Sequence, residues 1–334
     1  MHYLIVLCLF ILCGCSSSTP DKADIAPQPL YVDPIYDGAA DPSIVHDKAN
    51  QRWLMFYTNR RANNNELEGV TWVHGTPVGI AASSDGRNWR YLQDASFSMP
   101  LDVPTLWAPE VFVHNNTFHM YLTLVPGIFN DWQHPRSIGH FTSSDLLHWE
   151  YQSILSLNSS KVIDADVIAV PGGGFRLFYN DEPDGKSIYY ADSNNLYDWV
   201  DRGKAALASR GEGPVVFNWQ NQYWMIVDAW RGLAVYHSVD LNTWQQQEGY
   251  LLAEPGLGRD DANIGQHPEV VVINDRAYLF YFSHPGQLDG KPDNSRHAAR
   301  RPRLRRWGGR SARIARRLSS SIAPAASSSA STPR

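Results

Sequence analysis

Short apolar segments separated by polar turns run through most of the chain. Five of them are strongly apolar and follow a polar turn: residues 53–57, 118–122, 175–179, 223–227 and 277–282. The turns contain residues that favour hairpins, such as Asn115-Asn116 and Gly172-Gly173-Gly174. No stretch carries a convincing amphipathic-helix pattern. The alternation of apolar segments and turns therefore predicts an all-β fold.

Two sequence elements recur along the chain in a fixed order. A Ser-x-Asp/Asn-x-x-x-Trp element occurs four times, ending at Trp89, Trp149, Trp199 and Trp244. A second element of five residues occurs five times, beginning at Asp41, Ala108, Asp164, Glu212 and His267. Repeating units with at least three strands each predict a β-propeller, here with five blades over residues 35–290. A two-sheet sandwich is the alternative, but it would not repeat both elements in this order. We interpret the repeated tryptophans as blade-edge core.

The fifth unit differs from the other four. It lacks a third strand and the tryptophan element, so the last blade is predicted to be incomplete. Residues 291–334 hold 12 of the 29 basic residues and one of the 34 acidic residues, a net charge of +11. This tail is open to three interpretations: a disordered extension, a basic segment for an anionic envelope surface, or the product of a frameshift near residue 291.

The rest of the chain is acidic and rich in aromatic residues. Residues 1–290 carry a net charge of −16, which argues against nucleic acid as a partner, because phosphates require clustered Lys and Arg. Aromatic residues make up 12% of the sequence, which excludes disorder for most of its length.

The second repeat predicts a cluster of carboxylates. Equivalent positions on the innermost strands of a propeller surround the central axis at one end, and three of the five first positions are Asp41, Asp164 and Glu212. Like charges at short range raise the pKa of one member, which keeps that carboxylic acid protonated near neutral pH. One acid and one base across a scissile bond is the arrangement used for glycoside hydrolysis. Any one of these acids alone would more often cap a turn than catalyse, and it is their coincidence at one repeat position that favours catalysis.

The motifs around these acids resemble those of glycoside hydrolase family 43. They are Ala40-Asp41-Pro42-Ser43, Trp107-Ala108-Pro109-Glu110, Ile163-Asp164-Ala165-Asp166 and Glu212-Gly213-Pro214. The resemblance implies an inverting, five-bladed propeller glycosidase that acts on arabinofuranosides or xylosides of plant or algal glycans. It also implies that Asp41 is the general base, that Glu212 is the general acid, and that Asp164 orients this acid and raises its pKa. Two alternatives stay open: an anhydrogalactosidase-type propeller with His267 as the acid, and a sugar-binding lipoprotein without catalysis.

Four further residues are candidates for substrate binding. Trp107 precedes the axial position of the second blade and could stack on a sugar or pack between blades. Trp72 and His74 lie in a segment that interrupts the first blade and is predicted to form a loop over the axial pit. The resemblance implies that His267 contacts substrate, or water around an axial Ca²⁺. We expect no cofactor for the reaction and no other metal site, with this axial Ca²⁺ as the one alternative.

The N-terminus has the pattern of a lipoprotein signal peptide. Residues 4–12 are an unbroken apolar run, which is too short to span a bilayer as a helix. The run ends in Leu12-Cys13-Gly14-Cys15, which resembles a bacterial lipobox with Cys15 as the lipidated residue. Residues 16–34 would then form a flexible tether and anchor the protein by its lipid in the cell envelope. The alternative is an ordinary secretory signal. All three cysteines lie within the first fifteen residues, so the remainder can form no disulfide.

Overall fold

The computed structural model describes residues 29–255 and 263–284, together with the backbone of strands at 287–288, 291–292 and 303–307. Within these residues the secondary structure is almost entirely β, and the single helical element is a 3-10 turn at Thr71–Val73. None of the helical structure in the described part of the chain is long and apolar enough to cross a membrane. The predicted signal peptide, lipidation site and most of the tether lie outside the described residues.

Five sheets form the blades, and apart from β5 the strands of each pair antiparallel in chain order from the inside outwards. Blade one contains β1 (Ala39–Asp47), β2 (Arg52–Asn59), β3 (Val78–Ser83) and β4 (Arg90–Asp94). A short β5 (Ser96–Ser98) joins the outer edge of blade two, which contains β6 (Thr105–His114), β7 (Thr117–Val125), β8 (Ser137–Ser143) and β9 (His148–Ile154). Blade three contains β10 (Val162–Ala169), β11 (Phe175–Asp181), β12 (Ser187–Ser193) and β13 (Val200–Lys204). Blade four contains β14 (Glu212–Trp219), β15 (Gln222–Asp228), β16 (Leu233–Ser238) and β17 (Gln245–Gln246).

Blade five has three strands. They are β18 (Gln266–Ile273), β19 (Arg276–Ser283) and β22 (Arg303–Trp307), while β20 (Gln287–Leu288) and β21 (Lys291–Pro292) form a separate pair. The prediction of a blade shorter than the other four is therefore confirmed for the described residues. The expectation that the blade has no third strand is wrong, since β22 pairs with β19 from Leu279↔Trp307 to Ser283↔Arg303. Backbone pairing satisfies the exposed edge of β19 whatever the side chains, so a basic composition did not exclude a strand here. The rest of the predicted tail lies outside the described residues.

The innermost strands close into a ring. β1 contacts β6 and β18, β10 contacts β6 and β14, and β14 contacts β18. The five-bladed, all-β propeller predicted from the repeats is thus confirmed. A closed ring of blades leaves only short, protected edges, which suits a fold whose described residues include no α-helix to cover a sheet.

The hydrophobic core is divided among the interfaces between neighbouring blades. The ring of Trp149 in blade two meets Phe56 of blade one edge-on, with centroids 5.8 Å apart. Trp244 of blade four meets Phe178 of blade three in the same way at 5.9 Å. The repeated tryptophans are therefore packing residues between blades.

The end of the predicted tether is also packed. Leu30 and Tyr31 are buried against blade one, where the Tyr31 hydroxyl lies 3.0 Å from the Tyr57 hydroxyl. The Tyr57 hydroxyl in turn donates a hydrogen bond of 2.6 Å to Oδ2 of Asp33. Residues 30–33, assigned to the tether on their position in the sequence, thus belong to the propeller because their apolar side chains complete its core.

Candidate active site

A β-bulge occurs at the same place on the first strand of every blade. The ladder between first and second strands shifts register at Ala40/Ser43, Trp107/Glu110, Ile163/Asp166, Glu212/Val215 and Gln266/Glu269. Within each bulge, the residue that follows the first one of the pair has a positive φ. These residues are Asp41 (51°), Ala108 (45°), Asp164 (60°), Gly213 (53°) and His267 (41°). Bulges re-aim side chains and are enriched beside functional sites.

The positions of the bulges correct the alignment of the five-residue repeat in blade four. The counterpart of Asp41 and Asp164 in blade four is Gly213, and Glu212 is the counterpart of Ala40, Trp107, Ile163 and Gln266. A Cβ on Gly213 would lie 2.8 Å from Nδ1 of His267, so only glycine fits between the two blades. Glu212 nevertheless lines the axial cavity, from one residue earlier on the strand.

Hydrogen bonds between blades hold the bulges in place. The amide N–H of Ala108 donates to Oγ1 of Thr58 at 2.8 Å, and that of Asp164 donates to Oγ1 of Thr123 at 3.2 Å. The N–H of His267 donates to Oδ2 of Asp228 at 3.4 Å. In each case a second-strand side chain of one blade receives the bulge amide of the next, so the ring itself positions the axial residues.

A cavity of about 630 Å³ lies at the end of the axis where the bulges meet. Every blade contributes to its lining through the bulge region, with Asp41, Trp107, Asp164, Glu212 and His267. The three acids singled out in the sequence are therefore brought together around one concave site, as are Trp107 and His267. Convergent polar groups in one large cavity are the ordinary form of a small-molecule site.

Asp41 is buried and ion-paired. Nη2 of Arg60 lies 2.9 Å from Oδ1 and 3.1 Å from Oδ2 of the carboxylate, and Nδ1 of His267 lies 3.4 Å from Oδ1. Burial raises the pKa of Asp41, but Arg60 and His267 outweigh it, so the pKa lies below its usual value. Asp41 is therefore ionised at neutral pH, as a general base must be.

Asp164 lies in the opposite electrostatic situation. Burial is the main cause that raises the pKa of Asp164 to about 7, and the carboxylates of Glu212 and Asp41 raise it further, against a lowering by His267. Its Oδ2 accepts a 3.0 Å hydrogen bond from the N–H of Gly213. Asp164 thus contacts the residue next to Glu212 and fixes the backbone that carries this carboxylate.

Both oxygens of Glu212 have partners. Nζ of Lys186 lies 2.6 Å from Oε2, and Nε1 of Trp230 donates to Oε1 at 3.0 Å. Asp228 is paired opposite Glu212 in the sheet, and burial followed by the Glu212 charge raises the pKa of Asp228 to about 7. Glu212 therefore has three charged or ionisable neighbours. Two are the carboxyl groups of Asp164 and Asp228, which hold protons near neutral pH, and the third is the Lys186 cation.

The structure separates the predicted binding residues into two groups. Trp72, Trp107 and His267 line the cavity. His74 is only 1% exposed and is not among the described lining residues; its ring packs at 5.0 Å from that of Trp107. Burial is the main cause that lowers the pKa of His74 to about 4, so this histidine is neutral and acts through packing.

Several charged lining residues were missed in the sequence. They are Arg60, Arg136, Glu182, Lys186 and Asp228. The second strands end at the same rim as the bulges, so polar residues that close an apolar second strand, such as Asp181-Glu182 and Asp228, were a usable signal. Arg60 and Lys186 lie in the loops that follow, where no repeat marks them.

A second acidic cluster lies deeper along the axis. Carboxylate oxygens of Glu110, Asp166 and Glu269 lie within 4.8 Å of one another, two positions after the bulge residues of their strands. Burial is the main cause that raises the pKa of all three carboxyl groups, to about 7 for Glu110. Three oxygen ligands suit a hard cation such as Ca²⁺, so these residues fit such an ion. His267, which the sequence analysis placed beside the axial ion, is not among them. The three carboxylates do not line the cavity that contains Asp41 and Glu212.

Comparison with known proteins agrees with this architecture. A family model described as a probable glycosyl hydrolase domain, related to glycoside hydrolase family 43, matches residues 33–256. No curated protein matches the chain.

Solved structures of similar fold include enzymes named as arabinanases and as a xylosidase. A xylan β-1,4-xylosidase from Bacillus halodurans has a TM-score of 0.59 at 18% identity, over 83% of this chain and 54% of that one. An exo-1,5-α-L-arabinanase from a bovine ruminal metagenomic library has a TM-score of 0.56 at 15% identity, covering 80% and 92% of the two chains. An endo-arabinase from Bacteroides thetaiotaomicron has a TM-score of 0.55 at 15% identity, covering 82% and 94%. At these identities the likeness concerns the fold alone.

Proposed function

The chain belongs to the glycoside hydrolase 43-related family, and from this premise we propose that it hydrolyses arabinofuranosides or xylosides of plant or algal glycans with inversion. The observation that carries the proposal is the placement of two differently held carboxylates on one cavity. Asp41 projects from blade one beside a cation that keeps it ionised, and Glu212 lines the cavity from blade four. An acid and a base on different faces of a sugar are what inversion requires.

In this mechanism Asp41 activates the water. Its carboxylate accepts a proton from a water molecule as the oxygen attacks the anomeric carbon. Arg60 and His267 hold the carboxylate in position, within 3.4 Å of its oxygens. General-base catalysis of this kind contributes about 10²–10⁴-fold to the rate.

Glu212 supplies the proton to the leaving oxygen. To do so it must exchange one of its two present partners for the glycosidic oxygen and take up a proton from solvent. Lys186 is the partner that can move, because its side chain is long and 38% exposed, whereas the backbone N–H of Trp230 is held by a 2.8 Å hydrogen bond to Oδ1 of Asp228. Asp164 keeps the acid in place through the N–H of Gly213.

The proton transfers need no cofactor, since acid, base and water are all supplied by the chain and solvent. A divalent cation, where bound, would be held by Glu110, Asp166 and Glu269 below the cavity. Its contribution there would be to neutralise three buried carboxylates.

A panel of aryl glycosides tests the proposed activity. We expect p-nitrophenyl α-L-arabinofuranoside or β-D-xyloside to be hydrolysed by the wild type and not by Asp41→Asn. Binding of these glycosides without turnover would favour the sugar-binding alternative instead. Turnover of galactosides alone would favour the anhydrogalactosidase-type alternative.

We also propose that the protein is a lipoprotein of the cell envelope, anchored through Cys15. The apolar run of residues 4–12 and the lipobox-like Leu12-Cys13-Gly14-Cys15 support this. Fractionation of cells that express the wild type or Cys15→Ser tests it. The wild type should remain with membranes and the variant should be released; retention of the variant in membranes would contradict the anchor.

A further inference from the structure

A wall of aromatic residues rises on one side of the cavity. It is built from the 3-10 turn Thr71–Val73 of blade one and from Trp107 and Trp132 of blade two. Trp107 stands at the floor, where it is 8% exposed, and Trp132 stands at the rim, where it is 48% exposed. The wall therefore extends from the ring of bulges to the solvent.

Hydrogen bonds join the two loops of the wall into one unit. Nε1 of Trp107 donates to the carbonyl of Val73 at 2.6 Å, and the N–H of Val70 donates to the carbonyl of Asn130 at 3.2 Å. Within the blade-one loop, Nε of Arg61 donates to the carbonyl of His74 at 2.7 Å. The two loops are thus joined by two hydrogen bonds between blades, and the first loop is braced from within its own blade.

His74 fills the space behind the wall. Its ring lies 5.0 Å from Trp107, 5.6 Å from Phe129 and 6.3 Å from Trp132. The wall is therefore packed from the rear by this buried ring. This packing accounts for the histidine that the sequence analysis placed among the binding residues.

The position of the wall relative to Glu212 follows from the ring of blades. In a closed ring of five, the boundary between blades one and two lies opposite blade four. The contacts among β1, β6, β10, β14 and β18 establish this order. Glu212 on blade four and the wall thus face each other across the cavity.

We propose that this protein acts on chain ends and removes one terminal sugar at a time, because the wall closes the site beyond that sugar. The inference rests on the proposed function. Glu212 gives its proton to the leaving oxygen as the anomeric carbon–oxygen bond breaks, while water adds to that carbon and loses a proton to Asp41. The leaving portion of the chain must then lie toward blade four, and the sugar that is released must lie against the wall. The fold leaves this mode open, since similar structures include an exo-arabinanase and an endo-arabinase.

Product analysis on defined oligosaccharides tests the proposal. Wild-type protein is incubated with α-1,5-arabinopentaose and β-1,4-xylopentaose, each labelled at its reducing end, alongside the corresponding aryl monoglycosides. The expected early products are free monosaccharide and a labelled chain one unit shorter. Early release of unlabelled di- or trisaccharide, with the aryl glycosides also hydrolysed, would overturn this proposal and leave the proposed function standing. Absence of any hydrolysis would overturn both.

A variant at the rim tests whether the wall is the cause. Trp132→Ala removes an exposed ring, so the fold should persist, and Trp132→Phe is the matched control that keeps an aromatic surface. We expect Trp132→Ala to raise KM for the aryl monoglycoside and to begin releasing disaccharide, and Trp132→Phe to release only monosaccharide, with a smaller rise in KM. Unchanged KM and products in Trp132→Ala would contradict the wall as the end of the site.

Discussion

Nζ of Lys186 lies 2.6 Å from Oε2 of Glu212, so the proposed acid is held by a cation before substrate binds. Burial lowers the pKa of Lys186, but the carboxylates of Glu212 and Glu182 outweigh it, and the net shift is upward. Lys186 is therefore charged throughout the neutral range. Nζ of Lys186 also lies 3.5 Å from Oε1 of Glu182. Lys186 can therefore pair with the Glu182 carboxylate when substrate displaces it from Glu212.

Replacing the acid should have an effect that depends on the leaving group. Glu212→Gln cannot donate a proton, so we expect kcat to fall about 10²–10⁴-fold for alkyl glycosides and far less for 2,4-dinitrophenyl glycosides, whose leaving groups need no proton. Initial rates with both leaving groups measure this. Glu182→Gln, which alters the other carboxylate beside Lys186, is the control and should affect both substrates alike. Full activity of Glu212→Gln would point to His267 as the acid.

Removing the cation beside the base should move the acidic limb of the pH profile. Because Arg60 lowers the pKa of Asp41, Arg60→Gln should raise that pKa, and activity should be lost at a higher pH as the solution is acidified. The measurement is kcat/KM against pH for wild type and variant. Arg52→Gln is a matched control. Nε of Arg52 lies 2.9 Å from Oδ2 of Asp47, and neither residue lines the cavity. Coincident acidic limbs for wild type and Arg60→Gln would show that the base is another group.

The axial carboxylates should make stability fall as pH rises. The pKa of Glu269 is raised in the folded protein above its usual 4.5, so folding takes up protons. The free energy of unfolding therefore decreases as the pH rises above that value. Glu269→Gln removes the effect at this position. The measurement is thermal unfolding of both proteins in the presence of a chelator. The Tm of the variant minus that of the wild type should be larger at pH 8 than at pH 5. The exposed Glu248→Gln should show no such gain, and an equal difference at both pH values for Glu269→Gln would contradict the buried, protonated state.

Gly213 should tolerate no side chain. Its φ of +53° and the 2.8 Å approach to Nδ1 of His267 mean that Gly213→Ala adds both backbone strain and a clash. Gly249→Ala is the control, because it has a φ of +74° and no heavy atom within 4 Å of its Cβ position. Strain alone costs about 1–2 kcal/mol, so Gly249→Ala should lower stability by that amount and keep activity. Gly213→Ala should lose more stability and also activity, because His267 must leave Asp41; equal losses in the two variants would argue against the clash.

The sequence predicted the fold and the meeting of Asp41, Asp164 and Glu212 because both depend on repeats. It misplaced the blade-four repeat by one residue, since the alignment matched acid with acid. The proline that follows the bulge in Asp41-Pro42, Ala108-Pro109, Gly213-Pro214 and His267-Pro268 would have found the true register.

Other features of the site could not be predicted from the repeats. Arg60 and Lys186 follow the second strands in loops of unequal length, and only the folded ring brings them to the acids. The third strand of blade five depends on backbone pairing with β19, which composition does not encode. The role of His74 behind the wall depends on packing between two loops of different blades.

The anomeric form of the first product tests the central claim most directly. The best aryl glycoside from the panel is hydrolysed by the wild type in an NMR tube, and the anomeric proton is followed before mutarotation. With Asp41 as base and Glu212 as acid, the first sugar released should have the configuration opposite to that of the substrate. A first product of retained configuration would contradict the account, because it would require one carboxylate to bond to the sugar instead of activating water.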